Sequence, residues 1–269
     1  MTSPSPTTLR KLYPVTAVQD TTDDQVIVKY MHFWKFRAMV RLSSLYFRRI
    51  DGFRADPAEG YMPTEIWGMT APALRDWYDR CKAELFVCCW NLDAHETHAM
   101  WHDYAGDCGV RIQTTVGALR EELGHPAFVS PAVYSPEELA WAERCQAALV
   151  DCDDPPHDAF TTGLVDYIDF IKVHTHKLMK QGPSNVAPAF WKQGRHAGDH
   201  EYRAILRTGS VSGRTTRSPD QKSAHVPVRL ARLVHEIRYA PATDNMTQCL
   251  SRLLSRYGFS LPCKPTTLI

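Results

Sequence analysis

The sequence predicts a single α+β domain, a mixed or antiparallel sheet flanked by helices. Three observations carry the prediction. Strand-like and helix-like segments follow one another without a regular βαβ rhythm, which disfavours a doubly wound parallel sheet. The 269 residues contain 44% hydrophobic and 23% charged side chains, an ordinary globular balance able to fill one core. No internal repeat and no linker-like stretch divides the chain.

Residues 1–22, rich in Ser, Thr and Pro, read as a flexible leader, leaving 23–269 as the domain. VIVKYMHF, from Val26 to Phe33, alternates as a strand, with Tyr30 and His32 on one face and Lys29 and Met31 on the other. WKFRAMVRL is a short amphipathic helix and LYFRRI a second strand. DGFRADPAEG carries turn formers and acids and reads as a loop. Residues 71–83 suit a helix with Pro72 in its first turn. LFVCCWN is a buried strand, AHETHAMWHDYA is helical, GVRIQTT is a strand and VGALREEL a short helix. SPEELAWAERCQAALVD carries a capping box, Ser135 with Glu138, and predicts a helix. GLVDYIDFIKV reads as a strand, 181–200 as loop, HEYRAILR as a strand and 208–224 as a polar, flexible insertion. RLVHEIRYAP is a late strand, and NMTQCLSRLLSRYG a helix stopped by Gly258.

Composition excludes several function classes. Thirty-one Lys plus Arg against thirty Asp plus Glu give a net charge of +1, so the chain is no generally basic nucleic-acid binder. No apolar run approaches the ~20 residues of a membrane span. The first residues lack an apolar signal core. With eight Cys and no C-x-x-C pair, the thiols read as reduced, which points to a cytoplasmic protein. No P-loop, no G-x-G-x-x-G after a strand and no G-x-S-x-G is present. His95, His98 and His102 fall at i, i+3 and i+7, a spacing that can converge on a metal; a solvated helix face is the preferred reading, and no metal is expected.

The stretch Asp199-His200-Glu201-Tyr202-Arg203 is the most informative. On a strand Asp199, Glu201 and Arg203 point the same way, and such a set is either an exposed ion-paired ladder or a polar site. A carboxylate beside an Arg stays ionised, as holding a cationic or oxocarbenium-like centre requires.

Several short blocks recur in a known order. They are Lys29-Tyr30, Leu45-Tyr46-Phe47, Ala55-Asp56-Pro57-Ala58-Glu59, Cys89-Trp90-Asn91, Met100-Trp101-His102-Asp103-Tyr104-Ala105 and Gly109-Val110-Arg111-Ile112. Phe190-Trp191-Lys192, the Asp199–Arg203 block and Ile237-Arg238-Tyr239-Ala240-Pro241 through Tyr257-Gly258 complete them. On these the chain resembles, from about Lys29 to Leu268, the bacterial domain-of-unknown-function family 2971. Asp199 stands where that family has a Glu.

The layout also resembles ADP-ribosyltransferase-type folds, with NAD as substrate. The resemblance implies that Tyr30 and His32 flank the nicotinamide or its ribose, and that Glu201 bonds the ribose hydroxyl and stabilises the oxocarbenium charge. It implies that Asp199 orients the acceptor, that Arg203 and Lys192 meet the pyrophosphate, and that Trp101 and Tyr104 wall the pocket. Asp56 and Glu59 join the substrate-binding set. Against these roles, Trp101 and Tyr104 at i and i+3 also suit core packing, Asp56-Pro57 a plain turn, and Tyr30 and His32 the outer face of a half-buried strand.

The implied function is that of an NAD-using transferase or glycohydrolase, an effector in phage defence or a toxin system, acting on an unknown protein or nucleic-acid acceptor. Two alternatives stand beside it. One is a nucleic-acid-acting protein using Arg203, Arg207, Arg214 and Arg217. The other is a non-catalytic binding module.

Overall fold

The computed structural model describes residues 15–18, 21–53, 82–124, 147–149, 160–168, 187–207, 222–240 and 245–268. The strands are β1 (Val15–Val18), β2 (Val26–His32), β3 (Ser44–Arg49), β4 (Leu85–Asn91), β5 (Gly109–Thr115), β6 (Ala147–Leu149), β7 (Phe160–Leu164), β8 (Asp166–Ile168), β9 (Trp191–Gln193), β10 (Glu201–Arg207), β11 (Ser223–Pro227), β12 (Glu236–Tyr239) and β13 (Cys263–Pro265). The helices are α1 (Phe33–Leu42), α2 (His98–Met100), α3 (Val116–Gly124), α4 (Leu230–Leu233) and α5 (Met246–Arg256), with a π-helical turn, Trp101–Ala105, continuing α2.

Eleven strands form one sheet, whose main path runs β1-β7-β10-β4-β2-β5-β12-β13; β3 branches from β4 and carries β11 and then β6. The long pairings, β10 with β4 and β7, β2 with β5, and β11 with β3, are antiparallel. Three short pairings, β1–β7, β6–β11 and β12–β13, are parallel, so the sheet is mixed but mostly antiparallel, as the sequence predicts. β8 and β9 make a separate two-stranded piece.

One sheet face is covered by the helices. Phe36, Met39 and Val40 of α1, Val116, Leu119 and Leu123 of α3, and Met246, Leu250 and Leu254 of α5 recur at helical spacing and join the main core. Trp90, Phe86, Tyr202, Ala204, Leu206 and Ile112 meet them from the strands. Each fully buried large aliphatic or aromatic side chain contributes roughly 1.5–3 kcal/mol, and together they fix which face of every strand looks inward.

A fork opens at β4. β10 pairs with β4 over its full length, Arg207↔Leu85 to Glu201↔Asn91. Its other edge is shared: β3 takes Phe86 and Val87, whereas β2 touches β4 only at Val28↔Asn91. Where β2 leaves, Lys29 Nζ donates to the Cys89 carbonyl oxygen at 2.6 Å, a side chain standing in for a backbone N–H.

The structure differs from the sequence reading in several places. Residues 15–18, placed in the leader by composition, form β1 against β7. Ala147–Leu149, at the end of the capped helix predicted from Ser135, is a strand, because β11 offers parallel hydrogen bonds that outweigh helix propensity. Arg232 and Leu233, which open the predicted late strand, instead end the helical turn Leu230–Leu233, whose geometry buries both leucines three residues apart. The helix expected over AHETHAMWHDYA starts at His98, leaving His95 outside it. Residues 194–199, read as loop, form a 3-10 turn. The rest of the leader, the helix body before Ala147, most of 71–83, 208–221, Arg214, Arg217, Asp56 and Glu59 lie outside the described residues.

Candidate functional site

The face of the sheet opposite the helices carries an unusual density of polar groups. Paired residues on neighbouring strands project to the same side, so the register defines cross-strand rows. One row runs Glu201, Asn91, Val28, Gln113 and Glu236. In the adjacent row Arg203 pairs with Cys89, and Tyr30 with Arg111, which pairs in turn with Arg238.

Glu201 opens β10. Its backbone N–H donates to the Tyr167 hydroxyl at 2.8 Å and its carbonyl oxygen accepts from Val165 N–H at 3.0 Å, so the start of the strand is pinned on both sides. Lys192 Nζ donates to Glu201 Oε1 at 2.5 Å and to Asp199 Oδ2 at 2.6 Å. Arg203 Nε donates to Glu201 Oε2 at 2.8 Å, and its Nη1 to the Ala189 carbonyl at 2.6 Å. Burial alone would raise the Glu201 pKa, but the charges of Arg203 and Lys192 and their hydrogen bonds overcome it and hold the carboxyl at about 2. Burial pulls Lys192 down, yet Glu201 and Asp199 more than reverse that and raise it. Glu201 and Lys192 are therefore both ionised at neutral pH.

Asp199, Glu201 and Arg203 do converge, although not by simple alternation. Asp199 ends the 3-10 turn Gly194–Asp199, and His200 between them is left-handed at φ 42°. Lys192, on β9, gathers both carboxylates. Asn91 couples this cluster to the next loop: its side-chain amide donates to the Asp199 carbonyl oxygen and lies 3.8 Å from Met100 Sδ.

Trp101 is buried and packs edge-on against Tyr30, ring centroids 5.3 Å apart. Tyr30 lies two strands from Glu201, about 10 Å between backbones, on the same face. Tyr104 is exposed at 42%. Burial and then the negative charge of Asp199 push its phenol up to about 12, so it is a proton donor beside the ionised cluster. His32 sits one row beyond Tyr30, its ring against Gly106, and the structure does not bring it to Glu201. Lys192 and Arg203, expected to meet a pyrophosphate, are both engaged by Glu201. Asp56 and Glu59 fall outside the described residues.

Two site residues escaped the sequence reading. Tyr167 was read only as part of a strand, and its hydroxyl supports Glu201. Arg111 stands in the sequence as a strand residue of the Gly109–Ile112 block with no site role, yet it is 1% exposed; the signal is a cation inside the apolar run Val110-Arg111-Ile112. His95, His98 and His102 are all exposed, and among the described residues no group of three or more His, Cys, Asp or Glu is placed to hold a metal ion. Among the described residues no helix is long and apolar enough to cross a membrane.

No family model matches the chain, and no curated protein matches it. Among solved structures it is similar to the Thermus sp. 2.9 protein DarT in complex with carba-NAD+, at 11% sequence identity and a TM-score of 0.33, covering 91% of this chain and 96% of that one. A score of this size leaves the chain's own residues to carry the function.

Proposed function

We propose that the chain is an NAD-using glycosyl-transfer enzyme, an ADP-ribosyltransferase-like protein or glycohydrolase, with Glu201 as its central carboxylate. The single observation that supports this most is an ionised Glu201 at the start of β10, fixed from both sides and set in a polar row of the face opposite α1, α3 and α5. Each carboxylate oxygen accepts one protein hydrogen bond and retains capacity for a ribose hydroxyl. In the reaction the bond between ribose C1 and the nicotinamide nitrogen breaks, and its electron pair leaves with the ring, which becomes neutral. Positive charge develops on the ribose, where a fixed carboxylate is worth most. An acceptor oxygen or water then bonds C1 and gives up its proton to solvent. Asp199 faces the acceptor side, and Tyr104 supplies a protonated phenol. Lys192 and Arg203 position Glu201. Unchecked, this activity would drain cellular NAD, as a toxin or phage-defence effector does.

One observation favours a second reading. Glu201 and Asp199 are balanced by Lys192 and Arg203, a neutral set that also suits a non-catalytic binding module. Release of nicotinamide from NAD separates the two. The enzyme reading expects release by the purified protein and a loss of at least about 100-fold in Glu201→Gln, with the fold retained by circular dichroism. NAD binding without release, whatever acceptor is added, would leave the module.

A further inference from the structure

Arg111 presents an imbalance that the Glu201 cluster does not explain. Its side chain is 1% exposed, and its Nη2 donates to the Ala94 carbonyl at 2.6 Å and to Gln113 Oε1 at 3.3 Å. Among the described residues its Nε and Nη1 have no hydrogen-bond partner. The nearest carboxylate, Glu236, stands 4.0 Å from Nη1 and is already held by Arg238 at 2.7 Å and Lys264 at 2.9 Å. Glu96, also near Tyr30, is taken by Arg238, Thr266 and Thr267.

Two more buried donors beside it are also unsatisfied. The guanidinium lies 5.9 Å from the centre of the Tyr30 ring; burial raises the phenol's pKa and Arg111 partly offsets that rise, and among the described residues the hydroxyl meets no partner at full hydrogen-bond geometry. Trp101, edge-on to the same ring, leaves its indole Nε1–H unpaired. A folded chain rarely tolerates a buried cation and two neutral donors in this state, because each forgoes its hydration for nothing. A group that accepts hydrogen bonds from several directions and carries negative charge removes the deficit at once.

We propose that Arg111, with Tyr30 and Trp101, forms an oxyanion subsite that receives a phosphate of a nucleotide ligand. The inference deepens the NAD reading and rests on it for the identity of the ligand. Arg111 lies three strands from Glu201, about 14 Å between backbones, within the span of an extended dinucleotide. The cover over Tyr30 and Trp101 includes Met100 and Leu268, so entry of the ligand displaces part of that cover.

The test is calorimetric titration of ADP-ribose, and separately of inorganic pyrophosphate, into the full chain and into Arg111→Lys, Trp101→Phe, Tyr30→Phe and Glu201→Gln. Binding of ADP-ribose that weakens at least tenfold in Arg111→Lys and several-fold in Trp101→Phe and Tyr30→Phe, with pyrophosphate binding weakened by the same three variants but not by Glu201→Gln, supports the subsite. A merely structural role moves none of these affinities; in that case Tyr30→Phe changes the melting temperature alone. Unchanged affinity in a folded Arg111→Lys, or no binding of either probe to the unaltered protein, overturns the subsite. Nicotinamide release keeps the two readings apart. Release that is indifferent to Arg111 sinks the subsite and spares the enzyme; Arg111-dependent binding without release does the reverse.

Discussion

Glu201 and His225 are buried titratable groups with opposite demands, and acid separates them. His225 is 2% exposed and shares a hydrogen bond with Ser44 at 3.0 Å; burial depresses its pKa to about 4. The folded state keeps it neutral while an unfolded chain takes up a proton near the ordinary value of 6.5, so stability falls as pH drops from about 6.5 towards 4. Glu201 behaves otherwise: its contribution is complete above its ordinary 4.5 and is lost as pH falls through about 2. Denaturant midpoints measured against pH should show two slopes. His225→Gln should flatten the upper one by an amount on the order of a few kcal/mol across the window, and Glu201→Gln the lower one. At neutral pH Glu201→Gln should also cost about 3 kcal/mol, because two buried cations lose their carboxylate. Much of this residue chemistry was legible beforehand. An Asp-x-Glu-x-Arg run announces an ionised cluster. Lys192, however, joins it through β9, and the left-handed His200 that turns Asp199 towards it leaves no mark in the composition.

Among elements, the short helix and π-turn over His98–Ala105 depend on one glycine. Gly106 has φ 65°, and a Cβ there would lie 2.7 Å from His32 Cε1. Gly106→Ala should therefore destabilise by about 1–2 kcal/mol, from left-handed strain plus a displaced imidazole, visible as a lower melting temperature and faster amide exchange in residues 98–106. Strand β5 shows why periodicity was a good guide to elements and a poor one to the site. Gly109 to Thr115 forms a strand, as predicted, and its register puts Arg111 beside Tyr30. The alternation says which face Arg111 occupies, but not that its neighbours would leave it short of acceptors. Elements whose partners are remote went astray for a related reason: β1 and β6 are held by parallel partners far along the chain, and local pattern carries no trace of them.

For the molecule as a whole, the sheet face opposite α1, α3 and α5 is secured from one side by a carboxylate. Glu96 accepts from Arg238 Nη1 at 2.9 Å, Thr266 Oγ1 at 3.0 Å, and the Thr267 backbone N–H and hydroxyl at 3.0 and 2.7 Å. Burial raises its pKa, but these bonds prevail and lower it, so the clasp is complete above the ordinary carboxylate range and loosens in acid. Glu96→Ala should release residues 263–268, seen as faster amide exchange there and a loss of roughly 2–4 kcal/mol in stability.

The fork at β4 has a consequence of its own. The half-sheet bearing Glu201 and the half-sheet bearing Tyr30 and Arg111 share one backbone pair, Val28↔Asn91, and the Lys29 side chain as a spacer. That joint is the narrowest hydrogen-bonded connection in the sheet, helped among the described residues only by Gln25 Nε2 to the Leu92 carbonyl at 3.5 Å, so turning of the two leaves about it, like an opening book, is the motion to test for. Cutting the spacer with Lys29→Met should widen the distance distribution between spin labels placed on β10 and β5, while the helical core behind the binding holds the covers together.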